Sequence, residues 1–405
     1  MTSKEQVEIA YEKYLMPTYA PELTLVRGQG TRVWDAADNV YLDFTTGIAV
    51  LNLGHCHPRV VEAIREQAGR LIHVSNLQYN ECQAQLAEKL WTISDGYRSF
   101  FCNSGAEGNE ALIKLARLWG NPRGRYEVIS MRNSFHGRTL ATLTATGQAK
   151  VQAGFEPFPE GFRHADLNDL PSVQALVTDA TAAILVEAIQ AEGGVVEADA
   201  AFMAGLRELC DEQDILLLCD EVQCGMGRCG EWFGFEATGA VPDAFSLAKA
   251  LGNGFPIGAA LAGPRLAETF QPGNHATTFG GTPLACAAAC AVVDAITEEN
   301  LVASARNRGA NWKKSLGELS EKYEYVDCVR GRGFLLGLVL SRSAKGLADC
   351  LTRKGLLTIP TAGNVLRLLP PLNVSDEDLE EALALIDDAL DEWHATADET
   401  AQVGD

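Results

Sequence analysis

Ile215-Leu216-Leu217-Leu218-Cys219-Asp220-Glu221-Val222-Gln223, followed by Ser246-Leu247-Ala248-Lys249-Ala250-Leu251-Gly252-Asn253-Gly254, decides the fold. An unbroken apolar run that closes on a carboxylate reads as a buried strand. Working outward, Asp243 to Ala248 and Ile257 to Ala262 read as two more strands, and Ala182 to Glu187 as a strand joined to the first by a helix over Ala201 to Gln213. Upstream lie the strands Tyr97 to Cys102 and Tyr126 to Met131. Between them a helix runs from Gly105 to Trp119, with Ala111, Leu112, Leu115 and Leu118 on one face. Strands alternating with helices predict an α/β fold with a mostly parallel sheet covered on both faces.

The ends read differently. Thr31 to Asp35, a turn at Asp38-Asn39 and Val40 to Phe44 suit short antiparallel strands. Leu301 to Tyr323 reads as a helix, Gly333 to Leu340 and Leu366 to Leu369 as strands, and Asp376 to Trp393 as a helix capped by Ser375. The expected organisation is a large α/β domain at residues 46–300 and a small α+β domain built from 1–45 and 301–405.

The net charge of −21, from 33 basic and 54 acidic residues, argues against nucleic acid or an anionic membrane as a main partner. Acid gathers at the end: no lysine or arginine follows Arg367, and Asp376 to Glu392 reads as a solvated helix face. No apolar run approaches the ~18 residues of a membrane span. Met1 to Tyr14 is polar with no secretory core. These features predict a cytoplasmic protein, or an organelle-matrix one if a transit peptide has been removed. The eleven cysteines are scattered, and Cys102, Cys219, Cys286 and Cys290 lie in apolar runs, as in reduced compartments. His55-Cys56-His57 has no matching pair at metal spacing elsewhere and precedes Pro58, so a turn explains it and no metal is expected.

The chemistry gathers where strands end. A carboxylate after a buried strand, then a lysine among small residues and glycines, is what pyridoxal phosphate needs: an amine for its aldehyde and an anion for its ring nitrogen. Lys249 and Asp220 are the candidates. Asn103-Ser104-Gly105-Ala106-Glu107 opens a helix whose first amides, at Gly105 and Ala106, suit a phosphate; a plain helix cap is the alternative. In Asn133-Ser134-Phe135-His136-Gly137-Arg138-Thr139, Phe135 suits stacking on a flat ring and Arg138 a forked grip on a carboxylate, against a buried phenylalanine and a surface arginine. Glu192, in Glu187-Ala188-Ile189-Gln190-Ala191-Glu192-Gly193-Gly194, suits an arginine or an ammonium, or is a loop carboxylate.

Two other matches compete. Gly225-Met226-Gly227-Arg228-Cys229-Gly230 fits G-x-G-x-x-G and would support a nicotinamide oxidoreductase, but Glu231-Trp232-Phe233-Gly234-Phe235 is a poor helix start. Ser246 to Lys249 fits the S-x-x-K of serine acyl enzymes without their companion motifs.

Taken in order, these segments resemble the class III (ω-) aminotransferases of fold type I, the pyridoxal phosphate-dependent transferase fold that is aspartate aminotransferase-like. Tyr19-Ala20-Pro21, Gly28 to Asp35, Gly54-His55-Cys56-His57-Pro58, Asp220 to Arg228, Thr277-Thr278-Phe279-Gly280-Gly281 and Leu366 to Leu372 extend the resemblance over nearly the whole chain. It implies that Lys249 is the Schiff-base lysine and proton carrier, that Asp220 holds the pyridinium nitrogen, and that Gln223 meets the phenolic oxygen. Phe135 and Val222 would flank the ring, and Gly105 and Ala106 would bind the phosphate. Thr278 would reach the cofactor phosphate of the partner in a homodimer. Arg138, with Thr277 nearby, would take a substrate carboxylate. Arg367 would take the α-carboxylate of glutamate, and Glu192 would mask it when the other donor is bound.

The implied reaction converts N2-acetyl-L-ornithine and 2-oxoglutarate to N-acetyl-L-glutamate 5-semialdehyde and L-glutamate, a step of arginine biosynthesis. Ornithine, succinylornithine, succinyldiaminopimelate or 4-aminobutyrate as donor would keep the chemistry. The chain departs from the family pattern at Ala106, where threonine is usual, in Glu187-Ala188-Ile189-Gln190-Ala191, where the usual run is Glu-Pro-Ile-Gln-Gly, and at Asn253, where glycine is common.

Overall fold

The computed structural model describes residues 4–402; the outermost three residues at each end of the expected small domain, Met1 among them, lie outside it. A seven-stranded sheet forms the centre, in the order Arg98–Cys102, Gly258–Ala262, Ala244–Leu247, Leu216–Asp220, Thr181–Val186, Glu127–Met131, Phe162–Ala165. The last five run parallel, while Gly258–Ala262 runs against both of its neighbours. This is the mostly parallel sheet that the apolar runs predict. Thr181–Val186 and Leu216–Asp220 are buried at every position, as strands covered on both faces must be.

The helix Gly105–Gly120 lies against this sheet. Its buried residues include Ala111, Leu112, Ile113, Leu115 and Ala116, whereas Leu118 is 37% exposed, contrary to the expected face. At 3.6 residues per turn the buried arc runs from Ala111 round to Ile113, and Leu118 projects just outside it. The arc is wide because the helix Leu140–Ala145 also packs on it.

Of two four-stranded sheets, one joins both ends of the chain and one is built from the later end alone. In one, Leu25–Gln29, Arg32–Asp35 and Val40–Asp43 form an antiparallel set, and Leu356–Leu357 adds in parallel, pairing Leu356 with Leu42 and Leu357 with Asp43. In the other, Val326–Arg332, Leu335–Leu340, Val365–Leu368 and Ile359–Thr361 are antiparallel. The helix Asp376–Gln402 starts under Ser375, whose Oγ accepts from Asp378 N at 3.0 Å.

The Gly225–Gly230 segment opens no helix; residues 222–229 form turns. Its role is mechanical. Arg228 is fully buried, donating to Asn52 Oδ1 and to the carbonyls of Phe334 (3.1 Å) and Pro370. Burial pulls its guanidinium down to about 9. Gly230 lets the turn pass a helix, since a Cβ there would sit 2.8 Å from Arg306 Cα. With no helix on these glycines, the dinucleotide-binding reading fails.

Candidate active site

Asp220 ends its strand, in register with Ser246 on the next parallel strand. Lys249 follows three residues later, at a φ of +46°. Both therefore stand at the carboxyl ends of adjacent parallel strands, where sheets of this kind bind ligands.

Asp220 is 4% exposed and held on both oxygens. Oδ2 accepts from Asn109 Nδ2 at 2.7 Å and meets His136 Nδ1 at 2.7 Å. Oδ1 accepts from Val222 N at 3.0 Å and lies 3.4 Å from Ser246 Oγ, which donates to Asn109 Oδ1 at 2.7 Å. Ser246 is buried and its hydroxyl is spent in this network, so the serine acyl enzyme reading fails as well.

A cavity of about 410 Å³ opens over these groups, lined by Lys249, Asp220, Phe135, Val222, Gly105 and Ala106 among others. Lys249 joins no ion pair within the described residues, and desolvation in the cavity wall pulls its ammonium down to about 8. The helix Gly105–Gly120 begins in the same wall. Ser104 Oγ accepts from Glu107 N at 3.2 Å and Ser104 O from Gly108 N at 3.0 Å, so the amides of Gly105 and Ala106 are left for a ligand. Gly105 is required here, because a Cβ would lie 2.7 Å from Val222 Cγ1.

An aldehyde needs an unpaired amine, a pyridinium nitrogen needs a fixed carboxylate, and a phosphate needs free helix amides. All three stand around one cavity, so the residues present fit pyridoxal phosphate.

Beside Lys249 lies a second charged group. Arg367, on the strand Val365–Leu368, is 1% exposed. Its Nη1 donates to Glu192 Oε1 at 2.6 Å and to Gln223 Oε1 at 3.0 Å. Its Nε is buried without a partner. Burial alone would raise the Glu192 carboxyl, but the Arg367 guanidinium outweighs it and holds the group below its ordinary range. Gln223 Nε2 also reaches Glu192, at 3.4 Å. Gln223 is thus tied to this pair as well as lining the cavity.

Arg138 is exposed and lies over the Phe135 ring at 5.6 Å. It lines the Lys249 cavity and a neighbouring one. Thr277 and Thr278 are not brought to Lys249 within this chain. They line a separate cleft with Phe100, Asn103 and Phe279, where Thr277 Oγ1 accepts from Gly280 N at 3.1 Å.

Sequence reading gave no role to three residues of the site. Asn109 lies one turn beyond Gly105 on the same helix face, a spacing that places it near the helix start, whereas His136 beside Phe135 carries no such signal. Glu187 is buried and accepts from Phe135 N at 3.1 Å. Burial, with the charge of Asp220, pushes its carboxyl well above the usual range. A fourth feature carries no sequence signal. Thr46, Gly47, Ile48 and Ala49 turn left-handed, with φ between +44° and +67°, and deliver Val50 to the cavity wall. Such a conformation costs roughly 1–2 kcal/mol per non-glycine residue.

The fold and this site define a pyridoxal phosphate-dependent transaminase, and the chain belongs to the class III aminotransferase family: the model of aminotransferase class-III matches residues 15–390. Among curated relatives, the acetylornithine aminotransferase of Gloeobacter violaceus is 49% identical over 387 residues, covering 94% of this chain and 96% of its own. That of Caldanaerobacter subterraneus subsp. tengcongensis is 47% identical over 390 residues, covering 95% and 99%. Among solved structures, the ornithine aminotransferase of Toxoplasma gondii, whose crystals hold pyridoxal phosphate at partial occupancy in the active site, superposes with a TM-score of 0.92 at 32% identity over 96% of this chain and 95% of that one.

Proposed function

We propose that this chain transfers the terminal amino group of N2-acetyl-L-ornithine to 2-oxoglutarate, giving N-acetyl-L-glutamate 5-semialdehyde and L-glutamate in arginine biosynthesis. The observation that carries the reading is the Glu192–Arg367 pair at 2.6 Å beside the lysine cavity. One site has to accept glutamate through its α-amine and the other donor through its terminal amine. A guanidinium that a carboxylate covers or releases serves both. The nearly full-length relatives that bear this activity in their names support the choice of donor.

Bound pyridoxal phosphate supplies an electron sink for the carbon that loses its proton. Lys249 Nζ would hold the cofactor through its aldehyde and, as an amine in the cavity wall, would accept the proton that leaves the substrate carbon. Asp220, locked by His136 and Asn109, would face the ring nitrogen as a fixed anion and favour its protonated form. Phe135 and Val222 would flank the ring, Gln223 would meet the phenolic oxygen, and the amides of Gly105 and Ala106 would hold the phosphate, all of them lining the one cavity. Ala106 lacks the hydroxyl usual in the family, so backbone donors carry more of that contact. Arg138 takes the carboxylate of the acetylated donor, and Arg367 that of glutamate.

Thr278 completes the phosphate site of a second copy, and Thr277 stands beside the substrate there. The exposed apolar strip around their cleft supports a homodimer: Leu77 is 86% and Phe279 60% exposed, and Asn76 Nδ2 donates to the carbonyls of Thr277 (3.3 Å) and Gly280 (2.9 Å). Residues 46–300 act as the cofactor-binding domain, and the two ends of the chain as the small one. Eleven free thiols and the lack of any described helix long and apolar enough to cross a membrane support a cytoplasmic setting.

The test is a spectrum of the cofactor-loaded protein. N-acetylornithine alone should abolish the visible band of the lysine-bound cofactor, and 2-oxoglutarate should restore it. A band that responds to ornithine or 4-aminobutyrate but not to N-acetylornithine would overturn the donor assignment.

A further inference from the structure

Next to the lysine cavity lies a larger one, of about 640 Å³, and Phe135 and Arg138 line both. Most of the charge in its lining is already committed. Glu192 is held by Arg367, and Lys345 by Asp349 at 2.6 Å. Glu22, exposed at the rim, acts on the Lys345 ammonium. Arg138 and Lys150 join no ion pair among the described residues. Two of the lining acids, Glu192 and Asp349, are thus already paired, while Arg138 and Lys150 are the bases left without an ion-pair partner.

Gln148 stands in this wall, half-buried. Its Nε2 donates to Ser134 O at 3.0 Å and to Asn133 O at 3.4 Å. Only the NH₂ end of the amide can face two carbonyls, so its orientation is set. No described residue donates to Oε1, which leaves an oriented neutral acceptor in the cavity that Arg138 also lines.

We propose that Gln148 Oε1 receives the amide N–H of an N-acylated donor, making Gln148 a specificity determinant for acylated over free α-amino substrates. This rests on the reaction read above. With the terminal amine at Lys249 and the α-carboxylate on Arg138, the acylamino group enters the second cavity. An acylamide brings one N–H and no charge, which matches a neutral acceptor whose own amide end is already spent on two carbonyls. A free α-ammonium meets the repulsion of Lys150, and the nearby carboxylates of Glu192 and Asp349 are already held by Arg367 and Lys345.

The experiment compares kcat/KM for N-acetylornithine and for ornithine in the cofactor-loaded enzyme and in two variants. Gln148→Glu keeps an acceptor oxygen and adds a charge that suits an ammonium. Gln148→Met keeps the length and removes the acceptor. The acetylornithine-to-ornithine ratio should fall about tenfold or more in the glutamate variant and several-fold in the methionine variant, because a buried donor left unpaired is what a polar site discriminates against. A ratio within about twofold of the parent in both variants, with the glutamate half-reaction falling alongside the two donors, would overturn the proposal, since that is how a residue that merely braces the Asn133–Arg138 segment behaves. If the parent enzyme itself prefers ornithine, the reading of the reaction fails, while the direction in which Gln148→Glu moves the ratio still reports on this residue.

Discussion

Asp220 and Arg367 are both buried charges within one site, and they are held in opposite ways. Asp220 sits at the end of a central strand with contacts to Asn109, His136 and Val222 and with Ser246 close by. Arg367 enters from the smaller sheet, donates through one nitrogen to Glu192 and Gln223, and keeps a buried Nε without a partner. Leaving such a donor unmet costs about 1–3 kcal/mol. The first charge is built to stay, because its network is complete on both oxygens. The second is built to change partner, because an incoming carboxylate can satisfy what Glu192 leaves open.

Breaking the fixed charge should have the largest effect. Asp220→Ala removes the anion opposite the ring nitrogen and strands His136 and Asn109; kcat should fall by at least about a hundredfold in both half-reactions, the scale on which a preorganised electrostatic contact acts. Stopped-flow measurement of each half-reaction checks this, and a loss confined to one of them would mean that Asp220 is not the shared anchor.

Lys249 lies between the two charges and reports on both. Its ammonium is unreactive when protonated, and its folded value lies near 8, so capture of pyridoxal phosphate by the apoprotein should accelerate as pH rises through about 8. Glu192 raises the lysine value and Arg367 lowers it, so Glu192→Ala should move that midpoint downward. A midpoint near the free-lysine value of ~10.4 would mean that the cavity does not desolvate the amine.

The movable pair should give a smaller and asymmetric effect. Glu192→Ala exposes the Arg367 charge where the acetylated donor carries no carboxylate. The terminal-amine half-reaction should therefore slow about tenfold more than the glutamate half-reaction, a loss of selective rather than uniform binding. Equal loss in both would show that the pair is structural. Smallest of all, Ser246→Ala removes one neutral hydrogen bond behind Asp220, worth about 1 kcal/mol. Thermal unfolding should register it with kcat reduced by less than about tenfold, the factor that 1.4 kcal/mol represents.

The fixed half of the site was the more legible in the sequence, for a physical reason. Asp220 and Lys249 are announced by apolar runs, and strands buried on both faces carry that signal along their length, as Leu216–Asp220 and Thr181–Val186 do. The sheet and its fold class followed from the same runs. What escaped depends on side chains that meet across elements. Asn109 and His136 converge on one carboxylate from a helix and a loop, and no spacing within either segment states that they meet. Leu118 was misplaced because a helix covered by a sheet and a second helix buries a wide arc whose edges periodicity cannot fix. The left-handed turn at Thr46–Ala49 runs against the preference of Thr46 and Ile48, so local propensity pointed away from it.

The parallel pairing of Leu356 and Leu357 with Leu42 and Asp43 also bears on how the chain is made. A strand near the beginning stays without its edge neighbour until a segment more than three hundred residues later has been translated. On the ribosome, the run from Thr181 to Ala262 can assemble as it emerges, whereas Val40–Asp43 waits for almost the whole message to be read. A truncated product therefore leaves the synthesis machinery with an open strand edge, the kind of surface that quality control captures.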